Sequence, residues 1–314
     1  MEKDLFQNHK LNVECVQEAI EKLDALDLDL IDLHDLKKML VDSFKLIPYH
    51  KHYLPKGQKI FRARVNDQYS KFQGKTVITN NFNDFNNVSQ LTNRNPTEIL
   101  EFGRANIPGM SSFYSSTNLK LACAEVIQDA KFSFAPDKEI LVVTVGEWIA
   151  KKPITLAPLL YSEEVKTVRK DINSYVNQNR KYMESKYPSQ SVQIHDLIMK
   201  FFSDQFSKKN ISSHNDYKIS ALYSKILEDI NASQSDIQYD GIIYPSVVAN
   251  FLGTNISLFD NNLDSKIELT KAHKVLCANI DFAETPKFGV AAISESDAID
   301  ESGNITWKTV FKTI

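Results

Sequence analysis

The apolar positions near the N-terminus recur at helical steps. Val13, Val16, Ile20 and Leu23 fall three and four apart behind Asn12, a suitable cap, and predict an amphipathic helix. An acidic link from Asp24 to Asp29 follows. Asp32 is then placed to cap a second helix with Leu33, Leu36, Leu40, Val41 and Phe44 on one face, stopped by Pro48. Either helix alone is marginal in water, so the pair must dock on the body of this chain or on a second chain. Packing is the first expectation for such faces. The alternative is regulation, in which the acidic surface shields a basic cleft or docks a partner.

Beyond this head the period changes. Residues 58–65, Gln-Lys-Ile-Phe-Arg-Ala-Arg-Val, alternate and are rich in strand formers. Residues 80–95, a run of Asn, Asp, Ser and Thr broken by Phe82, Phe85 and Val88, read as a surface loop. A short helix or turn is expected over 97–102, irregular backbone over 103–109 and a strand over 112–116. Asn118 is placed to cap a helix from about Leu119 to Ala130, and strands follow at 139–145 and 153–156. From 162 to 209 the pattern is helical, divided at Pro188. A further helix from Tyr217 to Ile230 carries Ile219, Leu222, Tyr223, Ile226 and Leu227 on one face. The tail returns to strands at 241–244, 255–259, 268–280 and 305–311, and no solenoid repeat is visible. The pattern predicts an α+β fold: a helical extension over 1–54, then a mixed-sheet core over 55–314 with a helical insertion at about 160–232.

An apolar fraction of 42%, with 18 Phe and 12 Tyr among 314 residues, suffices for a core and excludes a disordered or fibrous chain. No apolar run approaches the roughly 18 residues that span a bilayer. The polar start, Met1-Glu2-Lys3-Asp4, lacks the apolar stretch of a secretory signal. A cytoplasmic protein with no membrane partner is expected. Cys15, Cys123 and Cys277 stand at no metal-ligand spacing, which argues against disulfides and a zinc knuckle. A net charge of −3 argues against nucleic acid as a partner. Eleven acids against six lysines leave residues 1–50 at −5 and the remainder at +2. A mildly basic body suits a small anionic ligand better than a polyanion.

Common catalytic spacings are missing: no Gly-x-Ser-x-Gly elbow, no Walker lysine loop, no Gly-x-Gly-x-x-Gly and no His-Glu-x-x-His. His50 and His52 are the one close histidine pair, and two ligands do not make a metal site, so no metal is expected. Four segments instead set polar groups beside apolar ones. They are Phe61-Arg62-Ala63-Arg64, Gly103-Arg104-Ala105-Asn106 with Pro108-Gly109, Phe113-Tyr114-Ser115-Ser116 running on to Ala124-Glu125-Val126, and Asp240-Gly241-Ile242-Ile243-Tyr244-Pro245-Ser246. Arg62 and Arg104 can grip phosphate or carboxylate bidentately. Gly103 and Gly109 allow close backbone approach. Glu125 interrupts an apolar helical stretch, where a carboxylate is costly unless partnered. Singly, each has an ordinary explanation: a surface arginine, or a salt bridge on a helix.

Together and in this order, these segments resemble the RES family, named for its Arg, Glu and Ser. The likeness rests on an Arg after an aromatic on an early strand, Gly-Arg-x-Asn-x-Pro-Gly, a Tyr-x-Ser strand leading into Ala-x-Ala-Glu-Val, and Asp-Gly-x-x-Tyr-Pro-Ser. The last element is Asn-x-x-Leu-Phe, here Asn255-Ile256-Ser257-Leu258-Phe259. It spans about 58 to 262 by motifs and leaves the first 50 residues outside. The resemblance implies an ADP-ribosyltransferase-like fold and an activity that takes NAD as substrate rather than as resident cofactor. Its implied site residues are Arg62, Arg104, Tyr114, Glu125 and Ser246, with Ser116 in the nucleotide-binding set; Arg62 is preferred over Arg64 because it directly follows the aromatic.

In that assignment Glu125 holds the ribose hydroxyls and stabilises the charge that develops on the ribose. Arg62 and Arg104 bind pyrophosphate or ribose, Tyr114 lies against the nicotinamide, and Ser246 orients Glu125 or the ligand. Several members of the family are toxins with a separate antitoxin, cleaving the nicotinamide–ribose bond by hydrolysis or phosphorolysis. The leading expectation is therefore an NAD-degrading enzyme, with a cognate antitoxin docking near the head or the cleft. A second is ADP-ribosyl transfer to a macromolecule, and a third a non-catalytic nucleotide-binding module.

Overall fold

The computed structural model describes residues 11–44, 51–69, 71–72, 75–76, 85–133, 140–233, 238–279 and 288–313. Within it α and β elements are mixed, and the chain divides into two compact units. Neither unit is continuous in sequence.

The first unit, Met1–Tyr53 with Arg94–Ser112 and Thr155–Val247, is mainly helical. Its head helices are Val13–Asp24 and Leu33–Phe44. Asn12 caps the first by accepting from the Cys15 amide at 2.7 Å, and Asp32 accepts from the His34 amide at 2.7 Å at the start of the second. The apolar face of the second is buried at Leu36, Leu40 and Phe44, one residue per turn. The Phe44 ring lies 5.5 Å from Phe201 and 5.4 Å from Phe202, both on the helix Ser189–Phe206. Lys37 pairs with Asp229 of the helix Lys218–Ser233 at 2.6 Å. Lys218, buried, donates its ammonium to the carbonyls of Leu28 at 2.6 Å and Ile31 at 3.1 Å, fastening the link between the head helices. Each apolar side chain buried in this way contributes about 1.5–3 kcal/mol. The head is thus docked on the helical insertion, whereas Pro48 lies outside the described residues.

The helical stretch expected over 162–209 is three helices, Glu163–Val168, Lys170–Lys186 and Ser189–Phe206. Pro188 separates the last two, as expected. The additional break falls at Arg169, whose backbone is extended and whose guanidinium grips Asp171 through two hydrogen bonds of 2.7 and 2.5 Å. That grip holds the Asp171 carboxyl at about 2, below its ordinary value. Strands Ile154–Pro158 and Gly241–Pro245 pair in parallel, with Leu156 opposite Gly241, and the helices supply the long crossover that a parallel pair requires.

The second unit, Leu54–Asn93 with Phe113–Ile154 and Val248–Ile314, is built on a sheet. Its strand order is Thr254–Phe259, Ser112–Ser116, Lys59–Tyr69, Ile140–Ala150, Ile267–Asn279, Phe288–Ile299, Ile305–Thr313. From Ser112–Ser116 onward, neighbouring strands in this order are antiparallel. The helix Leu119–Ser133 covers one face, where Ala122 and Cys123 meet Val143, Val145, Val275 and Cys277, with Phe61 and Ala63 packed alongside.

Phe288–Ile299 is a strand that the expected tail does not include; Ser294, Glu295, Ser296 and Asp297 are poor strand formers. Ladder pairing on both edges overrides that local preference, and Glu295 and Ser296 are bound by Lys271 and the Ala272 amide of the neighbouring strand. The expected turn over 97–102 is a single 3₁₀ turn at Pro96–Glu98. Part of the expected 80–95 loop, including Phe82, lies outside the described residues; its later half forms a capped 3₁₀ turn at Val88–Gln90.

Candidate functional site

The sheet unit gathers most of the candidate residues. Asn118 starts the helix Leu119–Ser133 by accepting from the Leu121 amide at 2.9 Å. Leu121, Ala122, Cys123 and Ala124 are buried, and Glu125, half-buried, emerges at their flank. Leu121 and Glu125, four residues apart, share a helix face. That face meets the start of the strand Thr254–Phe259. A Cβ on Gly253 would sit 2.4 Å from Leu121 Cδ2, so a glycine is what lets the chain come this close.

Two residues on, Asn255 Nδ2 donates to Glu125 Oε1 at 2.7 Å. The other end of the same amide, Oδ1, accepts from Ser116 Oγ at 2.7 Å. Both Asn255 and Ser116 are buried. The result is a directed chain, hydroxyl to amide to carboxylate. An amide nitrogen can only donate, so this arrangement suits a carboxylate oxygen with its lone pairs available. Cys123, two residues earlier and packed into the core, is a poor rival as a nucleophile: the hydrogen bond with Cys277 and burial push its thiol well up.

Arg62 reaches the same strands from the other side. Phe61 pairs with Ser116, and directly paired residues of antiparallel strands point to one face. Phe61, Ser116 and, by alternation, Tyr114 therefore share the helix face, while Arg62 and Arg64 point to the opposite one. There Arg62 stacks on Phe113, its Cζ 4.9 Å from the ring centroid, and Phe113 packs edge-on to Trp148 at 5.2 Å. Gly146, the register partner of Arg62, leaves room for Trp148, whose Nε1 would be 2.5 Å from a Cβ there. Arg62 Nη1 donates to the Tyr114 carbonyl at 3.0 Å, which brings the guanidinium back to the seam between the two strands. Arg64 Nη2 donates to the Thr92 carbonyl at 2.7 Å. Arg62 is thus tied to the Tyr114 strand.

Arg104 and Ser246 belong to the helical unit. Arg104 Nη1 donates to the Phe206 carbonyl at 2.7 Å, Nη2 reaches the Lys208 carbonyl at 3.2 Å, and the guanidinium stacks on Tyr217 with Cζ 4.9 Å from the ring centroid. A cation on the last carbonyls of the helix Ser189–Phe206 satisfies groups that a helix end leaves open. The turn that presents it is closed by paired Gly103 and Asn106 and by Gly109, whose φ of +75° is the left-handed region that favours glycine. Asp240 is structural too: its carboxylate accepts from the Thr155 amide at 2.8 Å and braces the parallel strand pair. Ser246, fully buried, follows the strand Gly241–Pro245.

Sequence reasoning assigned no role to Asn255. The available signal is its place at the head of the Asn-x-x-Leu-Phe motif, two positions after a glycine. Among the described residues no group of three His, Cys, Asp or Glu is gathered as for a metal ion, and no helix is long and apolar enough to cross a membrane. No family model, curated protein or solved structure matches the chain.

Proposed function

We propose that this chain degrades NAD by cleaving the bond between nicotinamide and ribose, with Glu125 as the catalytic carboxylate. The observation that carries the reading is Glu125 itself: a carboxylate on an otherwise buried apolar helix turn, held at 2.7 Å by a buried amide. The order of motifs that resembles the RES family supports the same reading, and an ADP-ribosyltransferase-like core is part of it.

The chemistry asks little of the protein beyond electrostatics. When the C1′–N bond breaks, its electron pair stays on the pyridinium nitrogen, and nicotinamide leaves neutral without a general acid. Ordinary glycosidases use two carboxyl groups, one of which protonates the leaving group; one carboxylate is enough here. Glu125 holds the ribose hydroxyls and stabilises the positive charge that grows on the ribose. Water or phosphate then adds at C1′ and releases a proton, giving ADP-ribose or its 1-phosphate. Tyr114, on the helix face with Ser116, lies against the nicotinamide, while Arg62, which points to the opposite face, braces the Tyr114 strand through its carbonyl. A role as a toxin held in check by an antitoxin that docks on the chain belongs to the same proposal.

Incubating purified, folded protein with NAD in phosphate and in phosphate-free buffer, with products identified by mass spectrometry, tests it. Nicotinamide with ADP-ribose or ADP-ribose phosphate is the expected result. Label carried from NAD onto a macromolecule would replace degradation by transfer. NAD left intact in both buffers, with every partner removed, would overturn the reading.

A further inference from the structure

We infer that Asn255 is a positioning residue for Glu125, with Ser116 setting the direction of its amide. The kinetic part of this inference rests on the NAD reading above; the geometric part does not. Three observations converge on Asn255. Its amide is bonded at both ends, to the Ser116 hydroxyl and to the Glu125 carboxylate, each at 2.7 Å, so a flip would set Oδ1 against the carboxylate. Its strand is registered on the Glu125 helix by the Gly253–Leu121 approach, matching strand positions two apart to helix positions four apart. The preceding turn holds two non-glycine residues in left-handed backbone, Asn250 at φ +47° and Phe251 at φ +67°, the second fully buried. Such backbone persists only where its surroundings over-determine it. The turn thus delivers Asn255 at one place and in one orientation. Held in this way, Glu125 presents one rotamer to the ribose, and it does so before the substrate arrives.

The test has two arms on the full chain. The first uses no NAD: the side-chain amide signals of Asn255 are followed by ¹H–¹⁵N NMR in the wild type, Glu125→Ala and Ser116→Ala. Both variants are expected to shift these signals, and Ser116→Thr, which keeps the hydroxyl, to restore them. Asn255 signals unchanged by Glu125→Ala would overturn the inference whatever the protein does to NAD.

The second arm is kinetic. Asn255→Ala is expected to lower kcat about 10–100-fold, as misplacement of a catalytic group does, with KM little changed. In a Glu125→Asp background, where the shorter carboxylate no longer meets the amide, Asn255→Ala should add almost nothing. Asn255→Asp, nearly isosteric, sets a second carboxylate 2.7 Å from the first. It should be worse than Asn255→Ala, because it sets like charge against Glu125. Independent losses in the double variant, or a rise in KM alone, would overturn the inference. A wild type without turnover would sink the NAD reading and leave the NMR arm to decide the role of Asn255.

Discussion

The candidate segments of the two units bond their polar side chains differently, although ion pairs such as Lys37–Asp229 and Arg169–Asp171 also join side chains in the helical unit. In the helical unit Arg104 and Lys218 donate to backbone carbonyls at a helix end and in a link between helices. Asp240 accepts from a backbone amide. These bonds hold chain to chain. In the sheet unit Ser116, Asn255 and Glu125 bond side chain to side chain, and the series ends on a carboxylate at the flank of a helix. Arg62 stands between the two habits, bonded to a carbonyl but lying at the seam of the strand that carries Ser116. A polar group bonded to backbone is accounted for by the fold. A relay ending on a carboxylate is more than the fold requires, and this separates Glu125 from Arg104 although both belong to motifs of equal prominence.

The largest test of this contrast is Phe44→Ala. Removing the ring that packs against Phe201 and Phe202 should destabilise the helical unit by about 3–5 kcal/mol. Both tryptophans, Trp148 and Trp307, belong to the sheet unit. Far-UV circular dichroism follows the helices and tryptophan fluorescence follows the sheet, and the loss should appear first in the dichroism. Arg104→Ala comes next, at about 1.5–3 kcal/mol for a charge-assisted bond to carbonyl. Arg104→Lys should not rescue it, because an ammonium cannot reproduce the planar fork and the stacking. If Arg104→Ala left the denaturation midpoint unchanged while weakening nucleotide binding, Arg104 would join the site and the contrast would break.

Much of this organisation can be read from sequence where the cause is local. Asn12, Asp32 and Asn118 begin helices because each side chain caps the turn that follows it, a matter of two or three residues. The Phe61–Arg62 strand follows from alternation. Non-local causes are silent. Phe288–Ile299 is a strand through its ladders, not its composition. Asn255 takes its role from Glu125, 130 positions away, and from a glycine that fits a leucine of another element. Motif order pointed to Arg62, Arg104, Tyr114, Ser116, Glu125 and Ser246, but not to the carbonyls that bind the two arginines.

Smaller effects sharpen the comparison. Gly253→Ala should cost about 1–3 kcal/mol, because its Cβ would meet Leu121 Cδ2 at 2.4 Å, Cδ1 at 3.0 Å and Cγ at 3.2 Å. Its effect on NAD turnover should exceed what that loss implies, because it displaces the strand that carries Asn255. Acid should act weakly on the helical unit. Burial pushes His52 below its ordinary 6.5, so the unfolded chain takes up a proton first and stability falls as pH drops below that value. The Asp171 contribution, present above 3.8, fades as pH falls through about 2. Midpoints of unfolding measured across pH 2 to 8 check both.

The most direct test of the whole account is the rate of nicotinamide release from NAD by the wild type and by Glu125→Gln, at matched dichroism and fluorescence. Release by the wild type and a loss of at least about 10²-fold in the variant are expected, the scale on which removing one electrostatic stabiliser acts. Equal rates from the two proteins would contradict it.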